Sequence, residues 1–426
     1  MSFGLDQHTN TSGSRQILHV DMNSYFATLE QQANPRLRGV PIAIGGKGHG
    51  GVVVTASVEA KQLGVKVPSP SHRLLAEFPQ VKIVPPTFAM YSHVTKQLIE
   101  IYQEFSPNVE VFSADEAFID ITDTASRFGG VTQLALRLKH RIQEEVGEWV
   151  TCSIGVAPNK VLAKLASDMK KPDGLTLITP ERAVSVIRSV RLTDVCGIGP
   201  RISKRLHRLG IRTFSQLQEI PPDVLVRSFG SHAARWLKGV AFGQGSDQVV
   251  SFHTMKDEKS MGHQRTIQPT SNRAALLATF LHLSEKVGRR LRRKQTRGRT
   301  ISIRIRYQSF HSEGRRVTLS RPLSDGYAIY GQVKELFQPV FLLDRVRLVG
   351  VTVSNLEWGA EQQQLFMKDA HRMESALAAC DLLNDRYGEM VVRRGSLMQI
   401  QKKQDIPGLG FQKRFITDAS SEELDA

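Results

Sequence analysis

With 426 residues, 40% of them hydrophobic and 23% charged, the chain is longer than one hydrophobic core organises, and it contains no run of roughly 18 apolar residues to span a bilayer. Lys and Arg number 57 against 41 Asp and Glu, a formal net charge of +16 that suits a polyanion such as nucleic acid. Cys152, Cys196 and Cys380 are too few for a disulfide framework and too scattered for a CxxC metal motif, and the 13 histidines form no metal-ligand pair.

Residues 1–15 are polar and read as a flexible leader without the features of a secretion signal. Ile17–Asp21 predicts a short buried strand ending on an acid, and Ser24–Gln32 a helix broken near Pro35. Val40–Gly45 and Val52–Thr55 read as strands around the glycine-rich turn Gly45–Gly51. Met90–Glu104 has helical spacing. Val109–Asp120 alternates like two strands joined at a tight turn, with Asp115 and Glu116 at that turn. Thr132–Val146 predicts an amphipathic helix, Val150–Val156 a strand, and Pro158–Lys170 a helix with Pro158 at its first position, where a missing N–H is harmless. The pattern is an α+β layer on a mostly antiparallel sheet.

Ala183–Gly243 is helical throughout and contains Gly197-Ile198-Gly199-Pro200 and then Leu209-Gly210-Ile211. Gly243–Lys256 reads as a linker. A helix over Ser271–Arg293 then precedes a strand in which Thr300, Ser302, Arg304 and Arg306 alternate with Ile301, Ile303, Ile305 and Tyr307. Ten basic residues and no acid lie between Lys286 and Arg306, so this region is expected to track nucleic acid, a solvated surface being the alternative. Asp369–Tyr387 predicts a last helix, and Gly408–Ala426 a mobile tail.

Phosphoryl transfer with two metal ions needs carboxylates converging within about 4 Å, because anionic oxygens hold Mg²⁺ while it bridges a triphosphate. Asp21, Asp115 and Glu116, at strand ends, supply such a set. Taken alone they also fit a helix cap and an ordinary turn.

The segments Val20-Asp21-Met22-Asn23-Ser24-Tyr25-Phe26-Ala27 and Ser113-Ala114-Asp115-Glu116-Ala117-Phe118-Ile119-Asp120 each resemble a signature of the Y-family, lesion-bypass polymerases, the group that includes bacterial DNA polymerases IV and V. Ser153–Lys160, Ala163-Lys164, Asp168-Met169, Lys171-Pro172-Asp173-Gly174 and Gly197-Ile198-Gly199 match in the same order, so the resemblance spans residues 16–358. It implies an α+β multidomain right hand: palm (16–24 and 87–180), small fingers (25–86), helical thumb with a helix-hairpin-helix (181–245), linker (246–257), α/β little finger (258–358) and a C-terminal extension (359–426).

By the same resemblance Asp21, Asp115 and Glu116, assisted by the backbone carbonyl of Met22, hold two Mg²⁺ ions. Phe26 matches the steric gate that excludes a ribose 2′-hydroxyl. Thr55, Lys61 and Lys171 fall at positions that hold the triphosphate, but Val58 stands where the family has Tyr and Lys61 where it has Arg, which replaces a bidentate fork with a point charge. Asn23 replaces a frequent second Asp, as in polymerase V-like members. Gly197 and Gly199 resemble the turn of a helix-hairpin-helix, which offers backbone N–H groups to DNA phosphates, a plain helix-helix turn being the alternative. Arg304 and Arg306 are expected on DNA. Gln362-Gln363-Gln364-Leu365-Phe366 resembles the peptide by which bacterial polymerases hold the sliding clamp, with Gln362, Leu365 and Phe366 as anchors; alternatively Leu365 and Phe366 start the last helix.

The expected protein is thus a monomeric, cytoplasmic, error-prone translesion polymerase whose partners are primer-template DNA, deoxynucleoside triphosphates and the clamp. A catalytically weak or silent DNA- and clamp-binding factor on the same fold is the rival reading, favoured mildly by Val58 and Lys61. A nucleotidyl cyclase would leave the thumb-like glycine motif unexplained.

Overall fold

Six consecutive buried residues, Ile17–Met22, form strand β1 at the centre of a five-stranded sheet. The computed structural model describes residues 15–46, 51–251, 258–359 and 368–397, which fall into two units dividing after residue 251.

In the first unit β1 is followed by α1 (Tyr25–Ala33), β2 (Ile42–Gly45), β3 (Val52–Ala56), α2 (Val58–Gln62), β4 (Ser69–Pro70), α3 (Ser71–Glu77) and β5 (Lys82–Val84). Then come α4 (Phe88–Phe105), β6 (Val109–Val111), β7 (Glu116–Asp120), α5 (Val131–Val146), β8 (Cys152–Ala157), α6 (Lys160–Met169) and β9 (Leu175–Leu177). The large sheet runs β6-β7-β1-β8-β9, antiparallel except for β8–β9. Leu18, Val20 and Met22 point to the face packed by α4 and α5, while Ile17 points to the face packed by α6. Burial on both faces is why all six residues are enclosed, the polar His19 and Asp21 among them. A second, four-stranded sheet, β4-β3-β2-β5, encloses its own small core of Ala43, Val53, Ala56, Ala60, Val65, Leu74, Val81 and Ile83. Residues 47–50 of the glycine-rich turn lie outside the described residues.

The expected start of α6 at Pro158 is corrected. Asn159 is the cap, its side chain accepting the Leu162 N–H at 3.1 Å, and the helix begins at Lys160. An Asn oxygen satisfies a free amide of the first turn, which a proline cannot do.

Helices α7 (Pro180–Ser189), α8 (Pro200–Arg208), α9 (Phe214–Glu219), α10 (Pro222–Phe229) and α11 (Ser231–Ala241) share a hydrophobic cluster with the outer side of α6. The start of the expected linker is pinned along this unit: Asn159 donates to the Gly243 carbonyl (2.8 Å), Lys160 N–H to Ser246 (3.0 Å) and Val250 N–H to Glu110 (2.9 Å). Residues 252–257 lie outside the described residues.

The second unit comprises β10 (Ser260–Thr270), α12 (Arg273–Arg293), β11 (Thr296–Tyr307), β12 (Ser312–Leu323), α13 (Gly326–Phe337), β13 (Val346–Trp358) and α14 (Lys368–Tyr387). Its antiparallel sheet runs β10-β13-β11-β12. Ile301, Ile303, Ile305 and Tyr307 bury under α12 and α13 with Phe280, Val287 and Phe337, while Ser302, Arg304 and Arg306 alternate onto the other face. The basic run therefore divides, contrary to a single DNA-tracking surface. On α12, Arg292 is held bidentately by Asp381 of α14 (2.7 and 2.9 Å), Arg289 pairs with Asp385 (2.5 Å) and Lys286 with Glu389 (3.3 Å). No helix among the described residues is long and apolar enough to cross a membrane.

Candidate active site

Asp21, the penultimate residue of β1, lies directly opposite Glu116, the first residue of β7, and the Met22 amide donates to the Asp115 carbonyl at 2.9 Å. Strand register thus brings the three sequence-predicted acids to one end of the sheet. One oxygen of each is already engaged. Lys171 Nζ lies 2.7 Å from Asp21 Oδ2 and 2.8 Å from Asp168, Lys164 Nζ lies 2.7 Å from Glu116 Oε2, and the Ser113 hydroxyl donates to Asp115 at 2.5 Å. Among the described residues no three His, Cys, Asp or Glu side chains are arranged as a ready metal cage.

The two aspartates are uncomfortable as anions. Burial pushes Asp21 up to about 7, against the pull of Lys171 and with the help of the neighbouring acids, and burial likewise raises Asp115. Glu116 differs: burial works to raise it, but the His19 ring and the Lys164 ammonium hold it below the usual carboxylate range. His19 is fully buried on the α6 face of β1. Its Nδ1 meets Ser167 Oγ at 2.8 Å, and because that hydroxyl donates to the Lys164 carbonyl, Nδ1 is the donor. Nε2 faces Glu116 Oε2 at 3.9 Å, an ion-pair distance, and makes no hydrogen bond among the described residues.

Phe26, 9% exposed, lies flat on Tyr91 with ring centroids 4.3 Å apart and planes at 10°. Tyr91 is itself fixed, its hydroxyl donating to Glu30 at 2.6 Å. Tyr25 is buried, its hydroxyl on Thr95 (2.9 Å), which in turn donates to the Ala114 carbonyl beside the acids. Lys61, in the last turn of α2, donates to Ser24 Oγ at 2.9 Å. Burial lowers the Lys61 pKa, and the charge of Lys171 lowers it further, so the two ammoniums share one electropositive corner. Ser24 holds that hydroxyl at φ +52°, a left-handed backbone unusual for serine. Thr55 is half-buried on β3, and Val58 opens α2.

In the helical block Gly197 adopts φ +98°, and a Cβ there would lie 2.6 Å from the Trp236 ring. Gly199 caps α8 with open space above it. Arg304 is exposed, and Arg306 donates to Ser312 Oγ at 3.1 Å, both on the face of the second unit's sheet opposite α12 and α13. Gln362, Leu365 and Phe366 lie outside the described residues. Lys164, Asp168, Ser167, Ser24, Glu30 and Tyr91 were not singled out as site residues. The α6 group left a readable sign: residues 160, 164, 167 and 168 fall on one helical face, with Lys171 just past the helix end.

Three acids gathered at one end of a sheet with lysines beside them form an arrangement compatible with nucleotidyl transfer. Comparison with known proteins makes the class specific. Residues 20–168 match the impB/mucB/samB family and residues 258–366 that family's C-terminal domain. DNA polymerase IV of Alkalilimnicola ehrlichii is 36% identical over 80% of this chain and 95% of its own length. DNA polymerase IV 1 of Bacillus subtilis is 32% identical over 95% of this chain and 98% of its own. A solved Y-family DNA polymerase chimera superposes with a TM-score of 0.72 at 25% identity, covering 81% of this chain and all (100%) of that one. The chain belongs to this family of Y-family DNA polymerases, and it is an error-prone, translesion DNA-directed DNA polymerase.

Proposed function

We propose that nucleotide addition occurs at the β1–β7 end of the large sheet, with Asp21, Asp115, Glu116 and the Met22 carbonyl holding two Mg²⁺ ions. The observation that carries this reading is the register that sets Asp21 opposite Glu116 while Met22 binds the Asp115 backbone. The donor set fits the ions: two aspartates are raised by burial, and a hard cation taking oxygen ligands relieves that. Ions held by Asp21, Asp115 and Glu116 would, when bound, supply acidification of the primer 3′-hydroxyl and charge neutralisation at the triphosphate.

The chain's own residues do the rest. Lys171 and Lys61 offer their ammoniums to the triphosphate, with Thr55 as a hydroxyl donor. Phe26, backed by Tyr91, presents a ring edge where a ribonucleotide would carry its 2′-hydroxyl. We assign palm to 16–24 and 87–180, fingers to 25–86, thumb to 181–245 and little finger to 258–358. The N–H groups at Gly197 and Gly199 and the guanidinium groups of Arg304 and Arg306 hold DNA phosphates. Gln362, Leu365 and Phe366 serve as the clamp-binding peptide of a monomeric, cytoplasmic enzyme.

Primer extension by wild type and Asp115→Ala tests the site, beside a melting curve with and without Mg²⁺. The wild type gains melting temperature on Mg²⁺ addition and the variant does not. Extension by Asp115→Ala at near wild-type rate would end the assignment and revive the silent accessory factor.

A further inference from the structure

One end of the second unit's sheet displays three large apolar side chains: Phe310, Phe341 and Leu343 are 66%, 80% and 66% exposed. They sit on two neighbouring loops, the β11–β12 hairpin and the α13–β13 connection. Exposed apolar groups on a loose loop carry little meaning, but these loops are fastened. The Gln308 amide donates to the Arg345 carbonyl (2.8 Å), the Ser309 amide to Asp344 (3.2 Å) and the Arg345 guanidinium to the Pro269 carbonyl (2.5 Å). Phe310 is held at φ +65°, a strained backbone for a bulky residue, so its outward ring is maintained against a local preference.

The surroundings are basic. Arg347 stacks its guanidinium 4.1 Å from the Phe310 ring centroid, Arg345 is exposed beside it, and Arg306 occupies the same strand end. The nearby acids are engaged: Asp344 accepts two backbone amides and Glu313 accepts the Tyr307 hydroxyl. Rigid aromatic rings beside arginines fit unpaired nucleobases, whose faces stack on rings while the phosphates between them meet guanidinium groups. Duplex DNA hides those faces.

We propose that Phe310 and Phe341, with Arg345 and Arg347, form a stacking site for single-stranded DNA. The site goes beyond the polymerase reading and needs neither the acids nor a nucleotide.

Binding of fluorescein-labelled oligo(dT) and of a blunt hairpin duplex, measured by anisotropy in EDTA with the full chain, tests it. The Phe310→Ala/Phe341→Ala variant should lose about tenfold in affinity for oligo(dT) and stay within about twofold of wild type on the duplex. Undiminished oligo(dT) binding, or equal losses on both nucleic acids, would overturn the proposal. Unchanged oligo(dT) binding with lost binding of a loaded clamp would overturn it in favour of a protein partner. A second variant keeps the test open should the alanines disturb folding. Phe341→Trp should bind oligo(dT) as wild type does, with its added emission quenched by oligo(dT) and not by inorganic polyphosphate. Absence of that quenching, or equal quenching by polyphosphate, removes stacking from the account. Because no metal or nucleotide is present, failure here leaves the active-site assignment standing, and the Asp115→Ala extension assay can fail without touching this site.

Discussion

The five-stranded sheet of the first unit has a hydrophobic cluster on each face, whereas among the described residues the second unit's sheet has one on a single face, under α12 and α13. Charges on the two sheets live accordingly. Asp21 and Asp115 are enclosed, raised by burial and answered by single, well-placed partners. Arg304 stands in solvent, where a charge acts as one of many and is screened by salt. Substitutions at the enclosed sheet should therefore change chemistry steeply, and those at the second unit's sheet should change affinity in small, salt-dependent steps.

The largest expected effect is at the enclosed sheet. Asp115→Ala or Glu116→Ala should lower nucleotide addition by about a thousandfold, the several kcal/mol that cation stabilisation of the transition state provides, while primer-template affinity stays within a few-fold. A double variant that still extends at more than a few per cent of wild type would break the comparison.

Phe26→Ala should raise ribonucleotide incorporation about tenfold or more relative to deoxynucleotide, since nothing then meets the 2′-hydroxyl. Glu30→Ala, which frees the Tyr91 hydroxyl behind the gate, should give part of that loss of selectivity. Sugar selectivity unchanged in both would assign the stack to packing alone.

Lys61→Arg should lower the apparent KM for nucleotide by up to about tenfold, by restoring a bidentate charge-assisted contact. A raised KM would mean that the Lys61 bond to Ser24 matters more than the fork.

At the second unit's sheet, Arg304→Ala and Arg306→Ala should each weaken DNA binding a few-fold and flatten the salt dependence by about one unit of slope. Arg289→Ala and Arg292→Ala, whose partners are Asp385 and Asp381, should leave that slope alone and lower melting temperature instead. Equal slopes for both pairs would erase the division of the basic run.

The smallest effect concerns pH in metal-free buffer. The folded chain holds the Asp21 proton up to about 7 while the unfolded chain releases it near 3.8, so the stability contributed by this group is full below 3.8 and is lost as pH rises to about 7. Asp21→Asn should consequently melt higher than wild type by a margin that grows with pH through this window and then levels. His19, lowered by burial, acts in the opposite sense but is present in both proteins. A margin that shrinks with rising pH would contradict the burial of Asp21.

Much of this was legible in sequence because buried strands and amphipathic helices write their periods directly. β1, the β6–β7 turn carrying the acids, α5, α12 and α14 fall where the apolar pattern puts them. What escaped reading depends on partners remote in the chain. The acids that take Arg289 and Arg292 lie on a helix after the last strand, and no local pattern announces that they fold back. The Lys171–Asp21 and Lys164–Glu116 pairs likewise exist only because α6 crosses the sheet behind β1. Asn159 was overlooked beside a proline whose usual position is the helix start.

Ser24 carries a consequence for anyone selecting sturdier variants. Its left-handed backbone is one that glycine adopts freely, and relief of such a conformation is worth about 1 kcal/mol or more. Ser24→Gly thus belongs among the substitutions a thermal screen would favour, and it deletes the hydroxyl that anchors Lys61. With Lys61 in its proposed role on the triphosphate, sturdiness and nucleotide affinity pull on this one residue in opposite directions, so a heat-selected lineage should drift toward glycine here and toward a higher KM for nucleotide.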